Sequence, residues 1–364
     1  MTPITPVRSP PRSICLLRLS ALGDATHVVP LVRTLHREWP EVALTWVIGK
    51  GEQKLLDGLE GVEFVVYDKK TGLAGMRALR RGLQGRRFDA LLQMQVAARA
   101  NLLSAFLPAK RRIGYDKSRS KDLHGLFVNE RIPDRPGIHV LDAIGSFCEP
   151  LGLKQTDVVW DLPVPEDAWA WARAQWPDDG RPTLAISPCS SHVLRNWRAE
   201  RYAAVADHAL SRGWRVVLCG GRSDLERNTT DAILAQISAA SKEIAAKGDG
   251  LLDLVDKDTL KQLPALLARA DLLMTPDSGP MHIANAMGTK VLGLHAASNP
   301  ARSGPYSDLR FCANRYDDAA RKYLGKPASE LKWGTKIEHD GVMDLVTVDD
   351  GIAAFERYCD VFLN

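Results

Sequence analysis

Met274-Thr-Pro-Asp-Ser-Gly-Pro-Met-His-Ile-Ala-Asn-Ala-Met-Gly288 is the stretch on which the reading of the fold turns. It follows the apolar run Ala270-Asp-Leu-Leu-Met274 and precedes Lys290-Val-Leu-Gly-Leu294. Two short apolar runs around an Ala- and Met-rich segment predict strand, helix, strand, the unit of a parallel α/β sheet. Asp277 and Ser278 fall where that helix begins. Either side chain can cap its first amides, and Gly279 lets the backbone approach a ligand closely. The first turn of such a helix is an anion site, because its unpaired N–H groups and dipole point outward. His282, four residues beyond Ser278, faces the same end of the helix. Capping residue, glycine and histidine together point to a phosphate cradle at the carboxyl end of a strand. The plainer alternatives are an ordinary helix cap and a histidine packed in the core, so the rest of the chain has to decide.

At 364 residues the chain is too long for one ordinary core, and two domains are expected. A hydrophobic share of 45% with 25% charged residues is that of a soluble globular protein. The formal charge of +4 permits an acidic substrate or an anionic membrane surface, but makes no case for nucleic acid. Cys15, Cys148, Cys189, Cys219, Cys312 and Cys359 are scattered, with no Cys-x-x-Cys pair, which favours reduced thiols in a cytoplasmic protein over disulfides or a zinc site. No run reaches the roughly 18 apolar residues of a membrane span. Residues 1–12 hold four prolines and no apolar core, and read as a disordered tail.

Working outward, Ile14-Cys-Leu-Leu-Arg-Leu19 reads as a buried first strand. The tight loop Ser20-Ala-Leu-Gly-Asp24 follows, then a helix from Ala25 to Trp39. The loop has one glycine, so it is neither a dinucleotide fingerprint nor a phosphate loop with its lysine. Asp24 is either a helix-start carboxylate favoured by the dipole or a base at the carboxyl edge of the sheet. Val42–Ile48, Val62–Tyr67 and Phe88–Met94 read as further strands. Lys69–Leu83 reads as a basic helix, Ala97–Leu107 as another, and Gly137–Leu151 as the helix that closes this half. Lys110-Arg-Arg112 and Lys117-Ser-Arg-Ser-Lys121 read as a basic loop region. A proline-punctuated stretch, 155–182, carries one helix at Glu166–Trp176 and the domain boundary.

The second half repeats the scheme. Thr183–Ser187, Arg215–Cys219 and Leu251–Val255 read as strands, and Arg198–Ser211, Ser223–Ala239 and Leu260–Arg269 as helices, the last capped by Thr259. A final helix spans Asp349–Tyr358. Two β/α halves predict an α/β protein whose ligand lies in a crevice between domains.

Four motifs now stand in order: Leu19-Ser-Ala-Leu-Gly-Asp24; Pro188-Cys-Ser-Ser-His-Val-Leu-Arg-Asn-Trp197; Leu254-Val-Asp-Lys-Asp-Thr-Leu260; and Asp277-Ser-Gly-Pro-Met-His282. In that order and at those spacings, from about residue 14 to 310, the chain resembles glycosyltransferase family 9, the bacterial ADP-heptose:lipopolysaccharide heptosyltransferases. The resemblance implies the glycosyltransferase B fold, with two Rossmann-like domains. Residues 13–160 would form the acceptor-binding domain and 161–345 the nucleotide-sugar domain, while the helix in 346–364 would return to the first domain. It implies inverting transfer of heptose from ADP-heptose to the acidic inner core of lipopolysaccharide, in the cytoplasm or at the inner-membrane face, with no cofactor and no metal.

On that resemblance Asp24 matches the catalytic base, which takes the proton of a poorly nucleophilic hydroxyl. Arg195 matches the cation on the departing diphosphate, whose charge helix amides and cationic side chains must stabilise where no metal does. Ser191, Asp277, Ser278, Gly279 and His282 match donor-binding positions, and Asp253 the acidic residue on the adenosine ribose. Arg18, Arg119 and Lys121 match basic positions facing the acceptor.

The chain departs from the family at Cys189-Ser190, usually Gly-Ala, at Arg198, commonly proline, and at Leu294-His-Ala-Ala297, often an aromatic followed by Gly-Pro-Thr. The last departure leaves open another nucleotide sugar or a protein acceptor, and an epimerase or sugar-nucleotide-binding relative of the same fold is a third reading. Tyr316–Leu345 carries no motif and reads as surface, a lid or an oligomer contact.

Overall fold

Each apolar run read above as a strand is a strand, and the strands assemble into two parallel six-stranded sheets. The computed structural model describes residues 10–83, 85–154, 157–246 and 250–363; most of the expected N-terminal tail, residues 1–9, lies outside them. The chain divides into Met1–Pro163 and Val164–Asn364, three residues beyond the expected boundary.

In the first unit the strands are β1 (Ser13–Leu17), β2 (Ala43–Gly49), β3 (Val62–Tyr67), β4 (Phe88–Gln93), β5 (Ala109–Gly114) and β6 (Glu130–Arg131). The helices are α1 (Leu22–Thr26), α2 (Val29–Glu38), α3 (Lys50–Leu56), α4 (Gly72–Gly82), α5 (Ala98–Ser104) and α6 (Val140–Gly145). Strand order is β3-β2-β1-β4-β5-β6. β1 lies at the centre, Ile14 pairing with Leu44 of β2 and Ala90 of β4. Its side chains Ile14 to Leu17 are fully buried, as a strand covered on both faces requires. The helix expected over 25–39 is two, α2 restarting with Pro30 in its first turn.

Lys110-Arg-Arg112 is not a loop but half of β5. Arg111 makes two bonds to Glu130 of β6, 2.7 and 2.6 Å. Arg112 donates to the carbonyls of Ser104, Leu107 and Phe127 at 2.7 to 2.9 Å, tying the end of α5 and the loop after β5 to the strand. Charge hides the strand from a hydrophobicity pattern, and long-range partners satisfy it.

The second unit holds β7 (Thr183–Ile186), β8 (Arg215–Leu218), β9 (Leu251–Asp253), β10 (Leu272–Pro276), β11 (Lys290–His295) and β12 (Ala313–Asn314). Its helices are α7 (Glu166–Arg173), α8 (Ala199–Ser211), α9 (Asp224–Gln236), α10 (Ala239–Ala246), α11 (Gln262–Ala268), α12 (Gly279–Ala286), α13 (Pro300–Ser303), α14 (Tyr316–Leu324) and α15 (Val348–Phe362). Strand order β12-β11-β10-β7-β8-β9 repeats the first unit's connectivity. In each unit the order reverses beside the first strand, between β1 and β4 and between β7 and β10, where open sheets bind ligands at the carboxyl ends.

Two C-terminal stretches belong to the core of the second unit. The final helix, α15, buries Phe355, Tyr358 and Cys359 there, with the Phe355 ring 4.8 Å from that of Trp214. Tyr316–Leu345 is not plain surface: α14 buries Tyr316, Ala319 and Ala320, and Ile337, Val342 and Met343 join the same core. Thr347 and Asp350 cap α15 reciprocally at 3.1 and 2.9 Å, and Asp350 also holds Arg315 at 2.6 Å.

Phe355→Ala leaves a ring-sized cavity in the second unit and lowers its stability by about 3–5 kcal/mol, read as a lower urea midpoint with unchanged transition steepness.

Candidate functional site

In the second unit the loop leaving β10 carries Asp277, with only 10% of its side chain exposed. Lys336 Nζ donates to its Oδ2 at 2.7 Å, and Arg195 Nη1 lies 3.8 Å from the same oxygen. Arg195 turns its other nitrogens to Glu338 Oε1, at 2.9 and 2.5 Å, and His192 Nδ1 stands 3.8 Å from that oxygen. A chain of alternating charge, Lys336–Asp277–Arg195–Glu338, thus crosses the exits of β10 and β7. Burial alone would raise the Asp277 carboxyl. Lys336, aided by the neighbouring His295 and His282, outweighs burial and holds it well below the usual carboxylate range. Burial, with Arg195 and Arg302 nearby, pulls the Lys336 ammonium below its ordinary value against the pull of Asp277. Burial opposes the Glu338 carboxylate, but Arg195 prevails and lowers its pKa.

Ser278 occupies the N-cap of α12 but makes no side-chain cap bond, contrary to one expected role. Its hydroxyl is hydrogen-bonded to Thr275 Oγ1 at 2.8 Å. The helix therefore offers its first amides without a capping side chain, beside Gly279. His282 is buried one turn further on. At the end of β11, His295 is fully buried with Nδ1 3.3 Å from Ser298 Oγ, and burial pushes it down to about 4.

The β7 exit loop is shaped by Asn196, whose side-chain oxygen accepts from Ser190 N at 2.6 Å and whose amide donates back to Ser190 O at 3.3 Å. Cys189 and Ser190 are buried while Ser191 is exposed, so the loop's two departures are packing residues. Arg198, the third departure, pairs with Asp344. Trp197 Nε1 donates to Val346 O at 2.8 Å. Asp253, at the end of β9, is paired with Arg227 at 2.9 Å and accepts from Val255 N at 3.1 Å. Nearby, Glu226 accepts from Gly221 N at 2.7 Å, and burial raises the Asp258 carboxyl to about 7.

In the first unit Arg18 and Asp24 form an ion pair in the loop leaving β1. Arg18 Nη1 also donates to Met94 O at 2.5 Å, beyond the end of β4. Gln95 binds the two loops together, accepting from Leu19 N at 2.8 Å and donating to Ser20 Oγ at 3.2 Å. Burial works against the Arg18 charge, but Asp24 and Tyr115 raise its pKa above the ordinary value. Arg119 is paired with the buried Asp116 and donates to Arg135 O, whereas Lys121 is exposed and makes no ion pair among the described residues.

The structure therefore brings Arg195 to Asp277 and Arg18 to Asp24. Asp253 is held by Arg227, and Arg119 by Asp116. Sequence reasoning misses Lys336, Glu338, Glu226 and Asp258. For Lys336 and Glu338 the one local signal is a lysine and a glutamate flanking the apolar Ile337, too short a pattern to place. Among the described residues no group of three or more His, Cys, Asp or Glu is arranged to hold a metal ion, and no helix is long and apolar enough to cross a membrane.

The model of glycosyltransferase family 9 (heptosyltransferase) matches residues 76–334. The chain is 38% identical over 347 residues to the lipopolysaccharide core heptosyltransferase OpsX of Haemophilus influenzae, covering 95% of this chain and 97% of the relative. Among solved structures it is similar to a family 9 glycosyltransferase from Veillonella parvula (TM-score 0.78, 22% identity, 95% and 97% of the two chains covered). It is also similar to the Escherichia coli ADP-heptose lipopolysaccharide heptosyltransferase II (TM-score 0.70, 19% identity, 97% and 100% covered).

His295 carries a pH prediction. Its folded pKa, about 4, lies below the ordinary 6.5, so in that window the unfolded chain binds the extra proton. The contribution is complete above about pH 6.5 and is lost as pH falls toward 4, about 3 kcal/mol in all. Urea midpoints of the wild type and of His295→Met, compared at pH 7.5 and 4.5, read it as a shallower acid loss in the variant.

Proposed function

The chain belongs to glycosyltransferase family 9, and we propose that it is an inverting, metal-independent heptosyltransferase that moves heptose from ADP-heptose to the inner core of lipopolysaccharide. The observation that carries the donor half of this reading is the Lys336–Asp277–Arg195 cluster beside the uncapped start of α12. ADP leaves with growing negative charge, and preorganised donors aimed at that charge lower the barrier. Lys336 pairs with Asp277, and Arg195 divides its nitrogens between Asp277 and Glu338. A diphosphate on the α12 amides gives both cations a further anionic partner. Arg195 and Lys336 are the proposed leaving-group cations, and Asp277 fixes their positions. Ser191, Ser278, Gly279 and His282 are proposed donor contacts, and Asp253, oriented by Arg227, the ribose contact.

The first unit supplies the base in this proposal. Asp24 accepts the acceptor hydroxyl's proton while that oxygen attacks the anomeric carbon from the face opposite the departing ADP, which inverts the centre. Arg18, itself tied to Met94 and Asp24, orients the base, a more specific role than the acceptor contact the resemblance implies. Lys121 is the proposed contact for an acidic acceptor, with Arg119 holding its loop through Asp116. OpsX of Haemophilus influenzae is a lipopolysaccharide core heptosyltransferase, and its identity over nearly the whole of both chains supports the same acceptor class. We place the enzyme in the cytoplasm, at the inner-membrane face, with no nucleic-acid partner.

Release of ADP from ADP-heptose, measured with and without heptose-deficient core and with EDTA throughout, tests the reaction. Acceptor-dependent release is expected. Loss of activity in EDTA would remove metal independence, and consumption of ADP-heptose without acceptor would point to an epimerase. Asp24→Asn lowers kcat on the order of a thousandfold with little change in donor KM. Lys336→Ala lowers kcat/KM by about 10–100-fold, the worth of one charged hydrogen bond; unchanged kcat/KM would take Lys336 out of the site.

A further inference from the structure

We propose that the loop following β5 in the first unit docks this enzyme on an anionic lipid bilayer, Leu123 and Leu126 entering the headgroup boundary and Lys117 and Arg99 facing the headgroups. Leu126 and Leu123 are 78% and 74% exposed, more than any other large hydrophobic side chain among the described residues. A scattered surface leucine needs no explanation, but these two stand three residues apart on one small surface. Lys117 and Arg99 are exposed and form no ion pair among the described residues. Exposed leucines on a loop that also carries Lys117, held at Asp122 to the residue before Arg99, suit a surface that is apolar within and negative at its face.

The loop is built to hold the leucines out. Asp122 and Leu123 have φ of 49° and 59°, the left-handed region that a leucine avoids. A network beneath them enforces it. The Asp122 carboxylate accepts from Ala98 N at 2.9 Å, and its carbonyl accepts from Asn101 Nδ2 at 2.8 Å. Buried His124 accepts from Tyr115 N at 3.1 Å through Nε2, and its Nδ1 lies 2.8 Å from Asn101 Oδ1. Arg131 donates to Tyr115 O and Ser120 Oγ at 2.9 and 2.8 Å. A loop with no apolar partner would relax by turning these leucines inward, and this one is pinned against doing so. It leaves the carboxyl end of β5, the sheet edge that also carries Arg18 and Asp24 after β1. Docking there presents the base's edge to a lipid-anchored acceptor. The proposal rests on the acceptor class proposed above.

Flotation of the full chain with vesicles tests it, comparing phosphatidylethanolamine/phosphatidylglycerol with phosphatidylcholine alone. Binding to the anionic vesicles, reduced by salt, is expected. The double substitution Leu123→Asn with Leu126→Gln should weaken partitioning by about tenfold or more, and Leu126→Gln alone by less. Asparagine tolerates the left-handed backbone, so the variant folds with an unchanged or higher melting temperature. Turnover of a delipidated, water-soluble core acceptor stays at the wild-type level, and turnover of a vesicle-embedded acceptor falls. Wild-type failure to float, equal flotation of the double variant, or loss of self-association instead of vesicle binding would each overturn the proposal. Leucine-dependent flotation without turnover of either acceptor would leave the docking intact and remove the acceptor assignment.

Discussion

Asp277 is a carboxylate buried at the mouth of the second sheet, and a buried carboxylate must be compensated or it is not tolerated. Its partners come from two distant parts of the chain. Arg195 leaves β7 in the first turns of the second unit, and Lys336 arrives after the last strand, 59 residues beyond Asp277. The terminal segment therefore has to fold back over the strand exits. Ile337, in the core between Lys336 and Glu338, sets the alternation that turns both charged side chains the same way, and its N–H bonds Ala297 O at 2.9 Å. Arg201 donates to Asp344 O at 2.9 Å, while Trp197 and Arg198 bind Val346 and Asp344. The loop after β7 and the C-terminal segment are thus one fastened piece.

The same connectivity is used twice, and in both units the proposed site residues fall where the strand order reverses. At such a point two neighbouring strand exits diverge, one helix crossing to each face of the sheet, and the gap between them is open to a ligand. In the first unit the exits of β1 and β4 carry Arg18, Asp24 and Gln95. In the second the exits of β7 and β10 carry Arg195 and Asp277. Side-chain bonds span each pair of exits, Gln95 in one and the Arg195–Asp277 contact in the other.

Much of this is legible in the sequence because it is local. The apolar runs of β1, β4, β7 and β10 and the turn chemistry of Asp277-Ser-Gly locate the strands, the helix and one half of each ion pair. What escapes depends on partners far along the chain. β5 reads as a basic loop because Arg111 and Arg112 conceal it, and only Glu130 and the carbonyls at the end of α5 make a charged strand affordable. Lys336 has no motif, since its role is set by a carboxylate that no spacing rule connects to it. The placement of α15 escapes too: amphipathic spacing shows that Phe355 and Tyr358 are buried, but not that Trp214 and Phe311 are what they meet.

The resting electrostatics of the second unit bear on how such a site would cycle. Asp277 stays ionised because Lys336 and the histidines outweigh its burial, whereas burial, with Arg195 and Arg302 nearby, pulls the Lys336 ammonium below its ordinary value against the pull of Asp277. The cluster thus sets two cations against two carboxylates, Asp277 and Glu338. In the proposed reaction a diphosphate adds a further anionic partner, and any ligand that binds the folded unit better than the unfolded chain stabilises it. In that reading, because Lys336 and Glu338 belong to the segment that also buries Ile337 and Val342, donor binding and the order of residues 325–345 would be coupled through the same side chains. A substitution that loosens this segment, such as one at Trp197 or Asp344, then weakens donor affinity without touching the donor. The reverse also holds by reciprocity: bound donor tightens a stretch that the sequence marks only as polar.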